Sequence, residues 1–137
     1  MSTTTIEVPQ AFGWVLLMAV AHAFELFVFG GVVGSYRKKH NVKYPDVTGP
    51  EEFNRAMRVH YNALEGAPFF FVTLLICGFY WAELAALAGF IYIVGRAIYC
   101  VGYLKSVEGR TTGAIICHLA ELMLLIGSIV FIFKMIV

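Results

Sequence analysis

Charge is scarce in this chain, and the scarcity excludes most soluble classes. Asp, Glu, Lys and Arg make up 14% of the 137 residues, where a soluble domain carries about 25%. Ten basic and nine acidic residues leave a net charge of +1, so bulk charge offers nothing to a nucleic acid. Cysteine is equally sparse. Cys77, Cys100 and Cys117 are odd in number and have no CxxC spacing, which argues against a disulfide framework. All three lie in apolar segments and read as buried thiols that serve as small hydrophobes. No P-loop, dinucleotide fingerprint, nucleophile elbow or zinc motif occurs, nor does an N-x-Ser/Thr sequon. The N-terminus lacks the basic stretch of a cleaved signal peptide, and the first apolar run is too long for one.

What abounds is apolar. The hydrophobic fraction is 60% and the mean hydropathy +0.78, an excess that a core this small cannot hide. The chain therefore reads as one integral membrane domain over residues 1–137. A polar lead covers residues 1–11, and four apolar stretches follow, at 12–36, 53–80, 84–104 and 113–135. Each is long enough to cross a bilayer, which takes about 20 residues. Open sheets cannot sit in lipid, so helix is the expected state. Short connections predict an all-α, up-down-up-down four-helix bundle. The one real loop, 37–52, holds Pro45, Gly49 and Pro50, which break helix. Gly30-x-x-x-Gly34 suggests close helix approach. Arg37, Lys38, Lys39, Lys43, Arg55 and Arg58 cluster near the first loop, and Lys105 and Arg110 occupy the third. The opposite side has only Lys134. Both basic loops are thus expected in the cytosol and both termini in the lumen or exterior.

Polar residues inside the apolar stretches are costly and mark candidate sites. At 100° per residue, Arg55, Arg58, Asn62 and Glu65 fall within roughly 80° on one helix face. His60 points to the opposite side, and Pro68 stands where the polar part ends. Tyr92, Arg96, Tyr99 and Tyr103 share a face of the third stretch. They read either as a polar ligand groove or as a snorkelling arginine beside an aromatic belt. If the bundle is right, Arg37, Lys38, Arg58, Asn62, Glu65, Arg96, Tyr99, Tyr103, Lys105 and Arg110 converge near the cytosolic face. That mixture suits a zwitterionic, peptide-like ligand, because guanidinium forks pair with carboxylates and Glu65 can hold an ammonium. Two HxxE pairs, His22/Glu25 and His118/Glu121, stand inside the membrane. They read as mutually satisfied buried polar pairs or contacts between subunits. Di-iron bundles use the reverse order with further carboxylates, so no metal is assigned. Glu83 and Glu108 sit in turns and read as solvated.

Three separated motifs resemble the MAPEG family, which holds the microsomal glutathione transferases, leukotriene C4 synthase and their relatives. They are Arg58-x-His60-x-Asn62-x-x-Glu65 ahead of a Pro-Phe stretch, the run GVVGSYRKKHNVKYP at 31–45, and YIVGRAIYCVGYLKSVEGR at 92–110. The likeness is greatest to the type-three and type-two microsomal transferases. It implies a homotrimer in the endoplasmic reticulum, with glutathione as co-substrate, no metal, and a lipophilic electrophile entering from the bilayer. By matching position, Arg58, Asn62, Glu65, Tyr99 and Tyr103 would bind glutathione from one subunit. Arg37, His60 and Arg96 would contribute from the neighbour or from behind, with Lys105 nearby. Arg110 matches the arginine that stabilises the thiolate, and Lys38 a second arginine that assists the electrophile. Leukotriene synthase or lipid hydroperoxide activity fits the same machinery. The alternative is the family's non-enzymatic branch, which presents lipid to another enzyme and lacks the full glutathione set. Three departures stand out. Gly66 replaces an aromatic or bulky ligand contact and opens space, Lys38 is a point charge in place of a fork, and Ala63 is apolar where the prostaglandin E synthase branch is acidic.

Overall fold

The computed structural model describes residue 5 and residues 7–137. Residues 1–4 and 6 of the expected polar lead lie outside that description. Four helices follow in order: α1 at Phe12–Lys39, α2 at Glu51–Gly78, α3 at Ala82–Lys105 and α4 at Thr111–Ile136. A short 3-10 turn, Glu108–Arg110, leads into α4. Every helix is long and apolar enough to cross a membrane. The predicted stretches and the helices coincide to within a few residues.

The largest difference lies at the first loop. Arg37, Lys38 and Lys39 remain helical as the last turn of α1, where cations meet the negative end of the helix dipole. Glu51 and Glu52 likewise occupy the first turn of α2, at the positive end. Asn41 leaves α1 at φ 53°, a left-handed conformation that asparagine tolerates. Asn54 closes the entry to α2. Its Oδ1 accepts from the Gly49 N–H at 2.8 Å, and its Nδ2 donates to the Gly49 carbonyl at 2.7 Å. α2 runs on through Pro68 to Gly78.

Packing divides the helices unequally. α2 and α3 each contact all the others, whereas α1 and α4 do not touch. One core joins Val15, Phe70, Leu74, Ala85, Ala88, Tyr92, Ala120 and Leu124. The alanines of α3 leave room for the larger rings of α2. The three thiols are free and buried, as the apolar surroundings predict. Outward faces carry Trp14, Val20, Phe24 and Phe27 on α1 and Ile115, Leu119 and Ile126 on α4, the side chains that a lipid environment solvates. Tyr80 receives a 2.6 Å hydrogen bond from Lys134 Nζ, so the lone basic residue of α4's end meets the aromatic turn between α2 and α3.

Where glycine matters here it serves close approach rather than an unusual backbone angle, since no described glycine has positive φ. A Cβ on Gly109 or on Gly102 would instead strike the other's backbone, so this pair lets the third loop press onto α3. Gly30 touches the His60 ring, where a Cβ would sit 3.7 Å from Cε1. Gly34, however, faces open space. The GxxxG stripe therefore makes no close helix contact inside one chain, because α1 meets α2 through larger side chains such as Phe29 and Val59.

Candidate active site

The polar residues of α2 and α3 meet at Arg96. This guanidinium is 5% exposed in the middle of a membrane-length helix. Its Nε donates to Tyr92 Oη at 3.0 Å and its Nη1 to Asn62 Oδ1 at 2.6 Å. The rings of Tyr92 and Tyr99 lie 5.1 and 5.6 Å from its central carbon, close enough for cation–π attraction. Tyr92 is itself fixed by stacking on Phe70 at 4.1 Å. Arg96 is therefore held from three sides and does not snorkel. The groove reading of this helix face is the one the geometry supports.

Gly66 has a different use from the one its sequence position suggests. A Cβ there would lie 2.7 Å from Arg96 Nη2 and 3.3 Å from Tyr92 Oη. The space that the small residue opens is taken by the arginine. Tight contact of this kind leaves no alternative side chain without displacement.

Beside Arg96 lies a cavity of about 370 Å³, lined by Asn62, Glu65, Gly66, Arg96, Tyr99, Arg110, Cys117, His118 and Glu121. It is bounded by α2, α3, the 3-10 turn and α4. Larger hollows exist, but the one at Gln10–Leu17 is mainly apolar in its walls and holds none of the charged groups. Glu65 reaches back to Arg58, with Nη1 3.5 Å from Oε1. The i, i+7 stripe thus forms an ion pair at the cavity's rim, and both partners are more than half exposed. Arg110 sits with its central carbon 5.2 Å from the Tyr103 ring, and Tyr103 packs edge-on against Tyr99 at 5.6 Å. Ser106 Oγ accepts from the Gly109 N–H at 3.0 Å, which secures the turn that carries Arg110.

The remaining expected residues lie elsewhere within one chain. Arg37 Nη1 donates to the carbonyls of Val42, Lys43 and Asp46, the last at 2.8 Å. Its guanidinium also covers the Tyr44 ring at 4.2 Å. It thereby holds the first loop onto α1. Lys38 lines a separate hollow with Arg37, Asn41 and Tyr44. His60 faces Gly30 of α1, on the side of α2 away from Asn62, and its Nδ1 is buried without a partner. Lys105 is exposed at the end of α3. The convergence expected for all ten residues is therefore made by Arg58, Asn62, Glu65, Arg96, Tyr99, Tyr103 and Arg110 alone. Arg37 and Lys38 stay apart because the last turn of α1 remains helical and carries them to its own loop. Arg55 leaves the stripe too: its Nε donates to the Leu104 carbonyl at 3.3 Å, capping the end of α3.

His118 and Glu121 are cavity residues that sequence spacing presents as a buried satisfied pair or a contact between subunits. Their hydrogen bond, Nδ1 to Oε2 at 2.9 Å, forms as expected, but the pair is not buried within one chain, since His118 is 76% exposed. What spacing does not reveal is the cavity beyond it. Among the described residues no group of three or more His, Cys, Asp and Glu side chains is arranged to hold a metal.

A family profile described as the MAPEG family matches residues 15–130. The chain belongs to the MAPEG family. Similar proteins are the microsomal glutathione S-transferase 2 of Mus musculus, 42% identical over 72% of this chain and 69% of that one, and an uncharacterized protein of Synechocystis, 36% identical over 71% and 72%. The leukotriene C4 synthase of Cavia porcellus is 41% identical over 54% of this chain and 50% of its own length. With four membrane-length helices and that family, this MAPEG protein is an integral membrane protein. Its polar cavity lies within the matched region.

Proposed function

We propose that this MAPEG protein is a membrane glutathione transferase that joins the glutathione thiolate to lipophilic electrophiles. The carrying observation is a cavity among membrane-length helices with Arg96, Asn62, Glu65 and Arg110 in its walls. Cationic forks, an amide and a carboxylate match the carboxylates, amides and ammonium of glutathione. The names of its transferase and leukotriene C4 synthase relatives agree with that match. Arg58, Asn62, Glu65, Tyr99 and Tyr103 hold the tripeptide, with Arg96 behind Asn62.

The working unit is a homotrimer of single-domain, up-down-up-down bundles. The Lys134–Tyr80 contact supports the alternating course of the helices. The exposed Arg58–Glu65 pair leaves a charged rim that an adjacent subunit can close. Arg37, His60, Lys38 and Lys105 then act from the adjacent subunit or at the rim, Lys38 beside the electrophile. The charge asymmetry supports basic loops and a site turned toward the cytosol with both termini on the opposite side, and localisation to the endoplasmic reticulum rests on the family resemblance.

Only the thiolate is a competent nucleophile. Arg110, in the cavity wall, favours the anion by charge pairing. Lowering a thiol from about 8.5 to about 6.5 corresponds to roughly 2.7 kcal/mol. Some intrinsic nucleophilicity is lost with it, and the rest of the acceleration comes from proximity to an electrophile concentrated in the bilayer. Lipid hydroperoxide reduction uses the same thiolate. The test is Arg110→Ala. The mutant should still bind glutathione, while the bound thiol's titration, read at 240 nm, moves up by about one unit, or roughly 1.4 kcal/mol. Wild-type thiolate absorbance together with wild-type turnover would remove Arg110 from the chemistry. A panel of chlorodinitrobenzene, a lipid hydroperoxide and leukotriene A4 then separates the substrate classes.

A further inference from the structure

His118 is 76% exposed on a membrane-length helix, while its partner Glu121 is 14% exposed. A polar ring left to lipid is costly, and here it borders both the charged cavity and the exposed Ile115, Leu119 and Leu122. That is the boundary where a water-soluble thiolate would meet a lipid-borne electrophile. The bond to Glu121 fixes the ring's chemistry. A carboxylate only accepts, so Nδ1 carries its hydrogen toward Oε2, and Nε2 remains free to give or take a proton.

Among the described residues, no other group lining this cavity can do so easily. Arg96 of α3 and Arg110 of the 3-10 turn stay protonated. Glu65 of α2 and Glu121 of α4 are acceptors when ionised. Tyr99 and Cys117 are buried, at 5% and 1% exposure, and titrate well above neutrality even as free groups. Lys38 occupies another hollow of the same chain, and a neighbouring subunit's Lys38 beside the electrophile would carry an ammonium that titrates far above neutrality. Histidine is the side chain suited to proton exchange near pH 7.

We propose that His118, oriented by Glu121, is the general acid that protonates the departing oxygen of epoxide electrophiles. This rests on the transferase reading of the cavity. In the step, the glutathione sulfur forms a bond to carbon and the carbon–oxygen bond breaks. The electron pair passes to oxygen, which takes the Nε2 proton, giving the hydroxy thioether. The proton shed when the glutathione thiol ionised restores the imidazolium, so no further reactant is required. A chloride leaving group needs no such proton.

The test compares styrene oxide with chlorodinitrobenzene on the full chain in detergent. In His118→Gln the ratio of epoxide to chloride turnover should fall by about a hundredfold, within the ordinary range for a positioned acid. The alkaline limb of the epoxide pH profile should disappear with it. Added imidazole should restore part of the epoxide turnover in His118→Ala, and Glu121→Gln should lower the ratio less. Equal losses on both substrates, an unchanged ratio, or no response to imidazole would overturn the assignment while leaving the transferase reading intact. If the parent protein turns over neither substrate, both fail. If it turns over only the chloride, the acid role alone is lost.

Discussion

Two His-x-x-Glu pairs, one on α1 and one on α4, share their spacing and their hydrogen bond, Nδ1 to Oε2 at 2.9 Å in each. Their immediate surroundings differ. His22 is 0% exposed and Glu25 10%. The His22 ring stands edge-on to Phe70 and Tyr92, at 4.8 and 5.1 Å, and lies against Phe71. Its Nε2 is buried without a partner. His118 opens on a charged cavity instead. The i, i+3 spacing decides that such a pair forms, since residues three apart are neighbours on a helix. It does not decide whether the pair serves packing or chemistry. A sealed pair can only be lost, whereas an open pair can exchange protons with a ligand.

The largest difference should appear on removing the rings. His22→Ala deletes a fully enclosed ring and strands Glu25. The expected loss is about 3–5 kcal/mol, the usual range for truncating a buried aromatic. His118→Ala should leave the thermal midpoint in detergent unchanged. Equal midpoints in the two mutants would erase the distinction between sealed and open.

A middle effect is expected at the open side. Glu65 stands in the cavity wall and pairs with Arg58. Glu65→Gln should weaken glutathione binding by roughly 10- to 150-fold, the consequence of losing a charge-assisted bond worth about 1.5–3 kcal/mol. An isothermal titration measures this. The corresponding change at the sealed pair, Glu25→Gln, should alter stability with little change in that isotherm. If both mutations shift affinity alike, the sealed pair communicates with the ligand.

Tyr92 joins the two regions, because it touches the His22 ring and bonds Arg96. Gly66→Ala probes that junction. The new methyl would press on Arg96 Nη2 and Tyr92 Oη. Overpacking of this sort costs about 1–3 kcal/mol, toward the lower end here because the far end of an arginine can shift. Lower stability with weaker glutathione binding is the expected result. A mutant matching the parent in both would mean that the arginine's position is not set by Gly66.

Much of the fold was legible because one physical demand dominates. Backbone groups in lipid must be satisfied within the helix, so uninterrupted apolar length predicts the elements. Helix ends were less legible: Arg37–Lys39 read as loop together with the Pro- and Gly-bearing stretch that follows them, yet cations there also stabilise a helix C-terminus. Within the candidate site, the face shared by Asn62 and Glu65, and that shared by Arg96 and Tyr99, followed from helical periodicity. His118, Glu121 and Cys117 were not legible as cavity residues, since nothing local to α4 says which helix it leans on.

The sequence by itself determined the four helices, the polar stripes upon them and both His–Glu hydrogen bonds, because each depends on spacing along one helix. Tertiary structure alone decided that Arg96 rests in the room left by Gly66 and bonds Asn62 across 34 positions. It also decided that Arg37 serves its own loop, and that one His–Glu pair is sealed while its twin faces a charged cavity. The reason is that burial and partnership belong to surfaces meeting in space, and helix spacing says nothing of which surfaces meet.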